Sequence, residues 1–271
     1  MRAWRVTVSA ADEDAATAAL WEADTAGIEV RVNPEGGVDL LAYFHDSAAF
    51  PLGASLPPGA TTQPVAVPEV DWVARFREGF RPFRAGRWLV APVWAAPRPA
   101  SPDTLVVDPG RAFGTGTHET TRLCLGALEG LAARRPLGRT LDLGAGTGLL
   151  AVAAARLGAS PVVATDIDPE AVASSRSHAA LNDCRLLLAR VDGARGLRPG
   201  AFDLVLANLM ALLLVDRAEE IRALLAPGGA MVLSGLLTGD VPEVRAAFAR
   251  CGEPTVALDG EWAALVYEGA R

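Results

Sequence analysis

The feature that most constrains the fold is a glycine-rich turn near the middle of the chain. A short apolar strand, Thr140–Leu143, runs into three glycines at alternate positions, Gly144, Gly146 and Gly148, and an alanine-rich amphipathic segment follows. A strand, a tight turn and a helix start in this order form the place where an α/β sheet binds a nucleotide-like ligand. Because glycine has no Cβ, it lets a ligand approach the main chain closely.

The spacing of the glycines separates two kinds of cofactor site. The dinucleotide pattern G-x-G-x-x-G requires a third glycine where this chain has Leu149. The observed G-x-G-x-G pattern, preceded by Asp142, resembles the S-adenosylmethionine loop of the class I methyltransferases. The spacing therefore speaks against a nicotinamide-dependent reductase.

Two polar residues stand downstream where such a site needs them. Asp166 follows the next apolar strand, 22 residues after Gly144, close to the spacing of about 20 at which an acidic residue accepts hydrogen bonds from ribose hydroxyls. Asp168 precedes a proline and is better placed to cap the following helix. Asn208 ends an apolar strand, where ligands bind in open α/β sheets. Its alternative role, a capping hydrogen bond to the next helix, is compatible with ligand binding.

A second motif covers residues 108–123 and combines glycine and hydroxyl residues. It leads into a helix predicted at 119–132, and Thr121 lies in the first turn, where free backbone N–H groups and hydroxyls face a polar ligand. Phe113, flanked by small residues, is placed to lie over an adenine ring or a sulfonium. The alternative is a surface loop with one buried phenylalanine.

Composition narrows the function classes. A chain of 271 residues, 51% of them hydrophobic, can bury a large core in one domain or two unequal ones. The net charge of −7 argues against an extended nucleic-acid surface, so direct nucleic-acid binding is not expected. This charge fits a basic protein partner or a small molecule better. Cys124, Cys184 and Cys251 lack metal or disulfide spacing and indicate reduced thiols, so no metal is expected.

The sequence has no signal-peptide pattern and no apolar run long enough to span a bilayer. These features predict a cytoplasmic protein without a membrane partner.

Two regions are predicted to precede the catalytic domain. Residues 1–67 show the order β-α-β-β-α-β, a small ferredoxin-like α+β domain, which we favour slightly as a substrate-docking domain over a stability or dimerisation module. Its predicted strands lie at 4–8, 28–32, 38–44 and 61–67, and its predicted helices at 12–26 and 46–53. Residues 68–98 are predicted to form a helical linker, with a helix at 69–83 and a strand at 88–92, and residues 99–271 the catalytic domain.

Together the motifs resemble one family, the bacterial ribosomal-protein methyltransferases called PrmA, which modify large-subunit ribosomal protein eleven. The resemblance lies in residues 108–121, 141–148, 166–169 and 207–209, and in the linker. It implies an α/β, Rossmann-like class I S-adenosylmethionine-dependent methyltransferase domain behind a ferredoxin-like domain. It also implies that ribosomal protein eleven, free or on the ribosome, is methylated on lysine and N-terminal amines. The cofactor S-adenosylmethionine is then held by Thr121, Gly144, Gly146, Asp166 and Asn208, with Phe113 packed beside it.

The chemistry of the reaction makes Asn208 the candidate catalytic residue. Methyl transfer from a sulfonium is an in-line displacement, so the enzyme must align a neutral amine with the methyl carbon. A free lysine has a pKa of about 10.4, and burial in an apolar pocket lowers that pKa, so no strong base is required. The hypothesis is that Asn208 Oδ1 and the neighbouring backbone carbonyl accept the N–H groups of the amine. For His118, a loop-stabilising role is favoured over that of a base.

Two other functions stay open. The first is a class I methyltransferase acting on a nucleic-acid base or a small molecule; an Asn-Pro-Pro-Tyr sequence would favour a base, but here Leu209 and Met210 follow Asn208. The second is a non-enzymatic ribosome-assembly binder. This function is disfavoured because the cofactor-site residues Gly144, Asp166 and Asn208 are all present.

Overall fold

The structure is a computed structural model that describes residues 2–23, 25, 27–33, 36–44, 56–66, 81–108 and 119–270. The chain divides into two compact units, Met1–Phe76 and Arg77–Arg271. Within the described ranges, no helix is long and apolar enough to cross a membrane.

The first unit is a four-stranded antiparallel sheet with one described α-helix. Its elements are β1 Arg2–Val8, α1 Glu13–Glu22, β2 Gly27–Val32, β3 Val38–Phe44 and β4 Thr61–Val65. The strand order is β2-β3-β1-β4, and the core forms between the sheet and α1 around Val6, Leu20, Leu40 and Phe44. This order fits the ferredoxin-like plan, but the helix predicted at 46–53 lies outside the described residues, so the full plan stays a prediction.

The first helix is shorter than its sequence predicted. The helix was predicted over residues 12–26, but it ends at Glu22, and β2 begins at Gly27. The chain is anchored locally at the buried Thr25, whose hydroxyl lies within hydrogen-bond distance of the carbonyl oxygens of Tyr43 (2.8 Å) and Gly27 (2.9 Å) and can donate to either. This hydroxyl ties the chain to the sheet before β2 begins, so the helical segment has already ended.

The second unit contains two sheets. A three-stranded sheet consists of β5 Phe83–Ala85, β6 Trp88–Pro92 and β7 Thr104–Val107. The remaining elements are α2 Glu119–Arg134, β8 Thr140–Leu143, α3 Leu149–Arg156, β9 Val162–Asp166, α4 Pro169–Leu181, β10 Leu187–Arg190, β11 Phe202–Asn208, α5 Ala211–Asp216, α6 Ala218–Leu224, β12 Leu225–Leu237, α7 Val241–Ala247, β13 Thr255–Asp259 and β14 Trp262–Ala270.

The large sheet has the order β10-β9-β8-β11-β12-β14-β13. The first five strands are parallel, and β14 runs antiparallel to both of its neighbours. The order reverses between β8 and β11, and such a reversal creates a crevice at the carboxyl ends of the strands. This doubly wound sheet confirms the predicted Rossmann-like α/β layout.

Both faces of the large sheet are covered, which explains why β11 is apolar from Leu204 to Ala207. Leu204 and Leu206 pack on one side with α2 and α3, and Val205 and Ala207 pack on the other with α6 and α7. Asn208 is the first polar side chain after this buried run, so it stands where the strand leaves the core.

Part of the predicted linker belongs to the core of the second unit. Strands β5 and β6 cover residues 83–92, and Trp88 and Val90 are buried in the same cluster as α2 and α3. Phe83, predicted to end a helix, begins β5; the rest of that helix at 69–80 lies outside the described residues. The sequence patterns did not predict β7. The domain boundaries at 67/68 and 98/99 stay predictions.

Candidate active site

A cavity of about 600 Å³ opens at the carboxyl ends of β8, β9 and β11. Five predicted site residues line it: Thr121, Gly144, Gly146, Asp166 and Asn208. The sixth, Phe113, lies outside the described residues, as does His118. The fold therefore brings together side chains that lie far apart in the sequence, because adjacent parallel strands end at the same edge of the sheet.

The glycine turn is held by the neighbouring strand. The backbone N–H of Gly144 donates to the carbonyl of Thr165 at 2.8 Å, and the N–H of Gly146 donates to Asp166 Oδ2 at 2.9 Å. Gly144 has a φ of +70° and Gly146 a φ of +55°, which disfavour any residue with a Cβ. The turn is thus a rigid main-chain surface facing the cavity.

The carboxylate of Asp166 has a fixed orientation. Its Oδ2 accepts from Gly146, and its Oδ1 accepts from the N–H of Asp168 at 3.0 Å. A carboxylate oxygen can accept more than one hydrogen bond, so both oxygens keep capacity for ligand hydroxyls. Asp168 is the N-cap of α4 and accepts from Glu170 N–H at 2.8 Å, which confirms its predicted capping role.

Two buried polar atoms in the cavity wall have no partner. Among the described residues, neither Asn208 Oδ1 nor Thr121 Oγ1 has a hydrogen-bond partner. The alternative role for Asn208 was a capping hydrogen bond to the next helix. The structure shows no side-chain cap on that helix, α5, whose N-cap residue is Met210. A buried polar group without a partner costs about 1–3 kcal/mol, so two such atoms in one cavity indicate a ligand that pairs with them.

Asp142 belongs to the site although the sequence pattern assigned it no role. It lies in the cavity wall, is 1% exposed, and its Oδ2 accepts from the N–H of Ala151 in α3 at 3.0 Å. Burial raises the pKa of Asp142 from 3.8 to about 7, and the nearby Asp166 charge adds to the rise. Its position directly before the glycine turn was the only signal in the sequence.

An ion pair forms another part of the wall. Arg217 Nη2 lies 2.8 Å from Asp192 Oδ1, and both residues line the cavity. The sequence carried no signal for this pair, because the two residues are brought together only by the packing of the loop after β10 against the start of α6. Within the described ranges, no group of three or more His, Cys, Asp or Glu side chains could hold a metal ion.

Comparison with known proteins identifies the family. A model of the family "Ribosomal protein L11 methyltransferase (PrmA)" matches residues 55–269. The chain belongs to this family. The ribosomal protein L11 methyltransferase of Geobacter sulfurreducens is 43% identical over 255 residues, which cover 91% of this chain and 83% of that relative. The relative of the same name in Deinococcus radiodurans is 36% identical over 258 residues, 90% of each chain.

A solved structure supports the same assignment. The crystal structure of ribosomal protein L11 methylase from Lactobacillus delbrueckii subsp. bulgaricus is 30% identical, with a TM-score of 0.64. The match covers 71% of this chain and 100% of that one. The PrmA chain described here is thus a class I S-adenosylmethionine-dependent methyltransferase, which confirms the predicted family, fold class and cofactor.

The cavity fits S-adenosylmethionine. Main chain of the glycine turn lines the cavity, the Asp166 carboxylate has capacity for ribose hydroxyls, and Thr121 and Asn208 offer polar atoms that have no partner among the described residues. The carboxyl groups of Asp142 and Asp166 suit the positive charge of a sulfonium and an amino group.

Proposed function

We propose that this PrmA-family chain transfers methyl groups from S-adenosylmethionine to lysine side chains and the N-terminal α-amine of large-subunit ribosomal protein L11. The chemical part of the proposal rests on the buried Oδ1 of Asn208, which has no hydrogen-bond partner in the described part of the chain and lies in a cavity that Gly144 and Asp166 also line. The choice of protein substrate is supported by the names of the relatives. The proposal covers L11 both as a free protein and as part of the ribosome.

The cofactor would be held by the chain in three ways. The main chain at Gly144 and Gly146 lies against it, Asp166 accepts hydrogen bonds from its ribose hydroxyls, and the Thr121 hydroxyl pairs with a polar atom. When bound, S-adenosylmethionine supplies an electrophilic methyl group on a sulfonium. The Asp142 carboxyl, buried in the wall, adds an acceptor, and the negative charge that it carries above its pKa of about 7 favours a cationic ligand.

The acceptor amine enters the cavity in its neutral form, having released its proton to bulk water, so no base of the chain is required. Leu209, Met210, Leu213 and Trp262 give the cavity apolar walls, and an apolar environment lowers the pKa of an entering amine. The neutral amine donates an N–H to Asn208 Oδ1, which directs its lone pair toward the methyl carbon. Because alignment alone can supply much of a rate enhancement, this arrangement is sufficient for transfer.

The charge of the chain supports a basic protein substrate. The net charge is −7. Ribosomal proteins that contact RNA are generally basic, and opposite net charges raise association rates. Residues 1–67 are proposed to provide the docking surface, with the catalytic domain following the linker.

The test is a methyl-transfer assay with radiolabelled S-adenosylmethionine and a bacterial ribosomal-protein mixture, with products identified by mass spectrometry. We expect one labelled protein, L11, and a loss of about 100-fold in kcat for Asn208→Ala at saturating S-adenosylmethionine, a condition that is needed because Asn208 also belongs to the predicted cofactor-binding residues. Label on RNA instead would support the base-methyltransferase alternative. Full turnover by Asn208→Ala would remove the alignment role of Asn208.

A further inference from the structure

We propose that Leu209 is a positioning residue that sets the separation between the cofactor turn and the amine acceptor. It directly follows Asn208 and lies between two glycines of other elements, Gly144 after β8 and Gly235 within β12. All four residues line the same cavity. The inference deepens the proposed function and rests on it, because it assigns Leu209 and Gly235 a role in aligning the acceptor amine.

The side chain of Leu209 packs on the cofactor turn. A Cβ added to Gly144 would lie 2.5 Å from Leu209 Cδ2, closer than real Cβ contacts come. The leucine therefore occupies the space that the absent side chain of Gly144 leaves. Any displacement of Leu209 toward β8 is blocked by the main chain of the turn.

The backbone of Leu209 packs on a bulge in the neighbouring strand. Gly235 has a φ of +85°, and the register between β12 and β14 shifts between Ser234 and Leu236. A Cβ at Gly235 would clash with the carbonyl oxygen of Leu209 and would lie 2.7 Å from its carbonyl carbon. The N–H of Leu209 donates to Ser234 O at 3.0 Å, so the backbone is also held against the bulge.

These contacts orient both proposed acceptors of the amine. We take the backbone acceptor next to Asn208 to be the Leu209 carbonyl, whose oxygen is the atom nearest to a Cβ added at Gly235. Bulges next to active sites commonly re-aim a neighbouring group. A displacement of about 1 Å can reduce turnover about 100-fold. A side chain at position 235 would therefore lower kcat by displacing the Leu209 carbonyl, without contacting the acceptor amine.

The first test is Gly235→Ala in the full chain. We expect kcat for L11 methylation to fall at least about tenfold, while the Kd of S-adenosylhomocysteine, measured by titration calorimetry, changes less than about threefold. The matched control is Gly269→Ala in β14, which has a φ of +67° but no atom within 4 Å of an added Cβ. It carries similar backbone strain without the clash and should keep kcat within about twofold.

Two results would overturn the inference. One is a Gly235→Ala variant whose kcat matches that of Gly269→Ala. The other is an equal loss of kcat and of cofactor affinity, which would indicate a general disturbance of the cavity. A wild-type chain that methylates no amine would instead refute the proposed function.

The second test needs no methyl acceptor and holds even if Gly235→Ala fails to fold. Gly144→Ala, Leu209→Ala and the double variant are compared by S-adenosylhomocysteine binding. Gly144→Ala should weaken binding at least about tenfold, and adding Leu209→Ala should restore about fivefold, because it removes the atom that the new Cβ meets. Strictly additive losses would show that Leu209 does not pack on the turn as proposed.

Discussion

The carboxylate of Asp166 accepts a hydrogen bond from the backbone N–H of Gly146 at 2.9 Å. This bond joins the end of β9 to the turn after β8, and the N–H of Asp168 holds the second carboxylate oxygen at 3.0 Å. The proposed ribose acceptor is therefore oriented before any ligand arrives. Preorganisation of this kind reduces the entropy lost on binding.

Asp166→Asn tests that arrangement. The amide keeps the shape of the side chain but loses the charge and one of the two acceptor oxygens. Since a hydrogen bond to a charged group contributes about 1.5–3 kcal/mol, we expect affinity for S-adenosylhomocysteine to fall about 10–100-fold in titration calorimetry. The control is Asp168→Asn: asparagine is as good an N-cap as aspartate, so both stability and affinity should be unchanged. An equal loss in the two variants would assign the effect to the loop as a whole.

Thr121→Val separates stability from binding. The Thr121 hydroxyl is buried, and its oxygen has no hydrogen-bond partner among the described residues. Replacing it with a methyl group removes an unpaired polar atom, so the ligand-free chain should unfold at the same denaturant concentration as the wild type or a higher one. Cofactor affinity should fall about 3–10-fold, because the hydroxyl pairs with the ligand. If the variant is destabilised and binds normally, the hydroxyl has a structural partner instead.

Asp142→Asn tests the buried carboxyl through pH. The folded pKa of Asp142 is about 7, raised from 3.8 chiefly by burial, so the folded chain holds the proton more tightly than the unfolded chain. The contribution of this group to the free energy of unfolding is therefore largest below pH 3.8 and is lost as pH rises to about 7. Asparagine does not titrate. Urea unfolding should show that the stability of Asp142→Asn relative to wild type grows from pH 5 to pH 8, and a difference independent of pH would contradict the raised pKa.

His178 and Asn182 hold β7 through side chains of α4 and the residue after it. The Asn182 side-chain amide makes two hydrogen bonds to Val106 in β7: its Oδ1 accepts from the Val106 N–H at 2.8 Å, and its Nδ2 donates to the Val106 carbonyl at 2.7 Å. The amide therefore pairs with β7 as the backbone of a neighbouring strand would. His178 Nδ1 lies 2.8 Å from the carbonyl of Ser174, and its Nε2 accepts from the N–H of Asp108 at 2.9 Å. These partners require the neutral ring with the proton on Nδ1.

His178→Gln tests this neutral state. Burial lowers the pKa of His178 below 6.5, and the charge of Asp108 partly opposes the change. The unfolded chain therefore binds the proton more readily, and the stability from the neutral ring is complete above pH 6.5 and declines as pH falls toward the folded pKa. In urea unfolding between pH 8 and pH 5, the wild type should lose more stability than His178→Gln. Equal losses would assign the pH dependence to other groups.

Much of the secondary structure follows from local patterns. Strands β3 and β6 have the predicted bounds, because alternating or continuous apolar residues and flanking turn residues mark both. Asp168 was recognised as a cap from the proline after it. Strand β7 was missed, since its four residues are too few to show a period, and its edge is completed by Asn182, which is distant in the sequence.

Some residues of the candidate site were likewise predicted from local patterns, and others were not. Gly144, Asp166 and Asn208 were predicted because each follows an apolar strand, and the ends of parallel strands meet at one edge of the sheet. The ion pair between Asp192 and Arg217 was not predicted, because neither residue carries a pattern that depends on the other.

The sequence by itself determined the family, the cofactor turn and the residue types at the strand ends, since these depend on local spacing. The tertiary structure alone decided that β11 lies beside β8, that Asn208 Oδ1 is buried without a partner in the described chain, and that Leu209 lies between two glycines. These relations come from the order in which the strands bury their apolar faces. That order is set by long-range packing, which no short stretch of sequence contains.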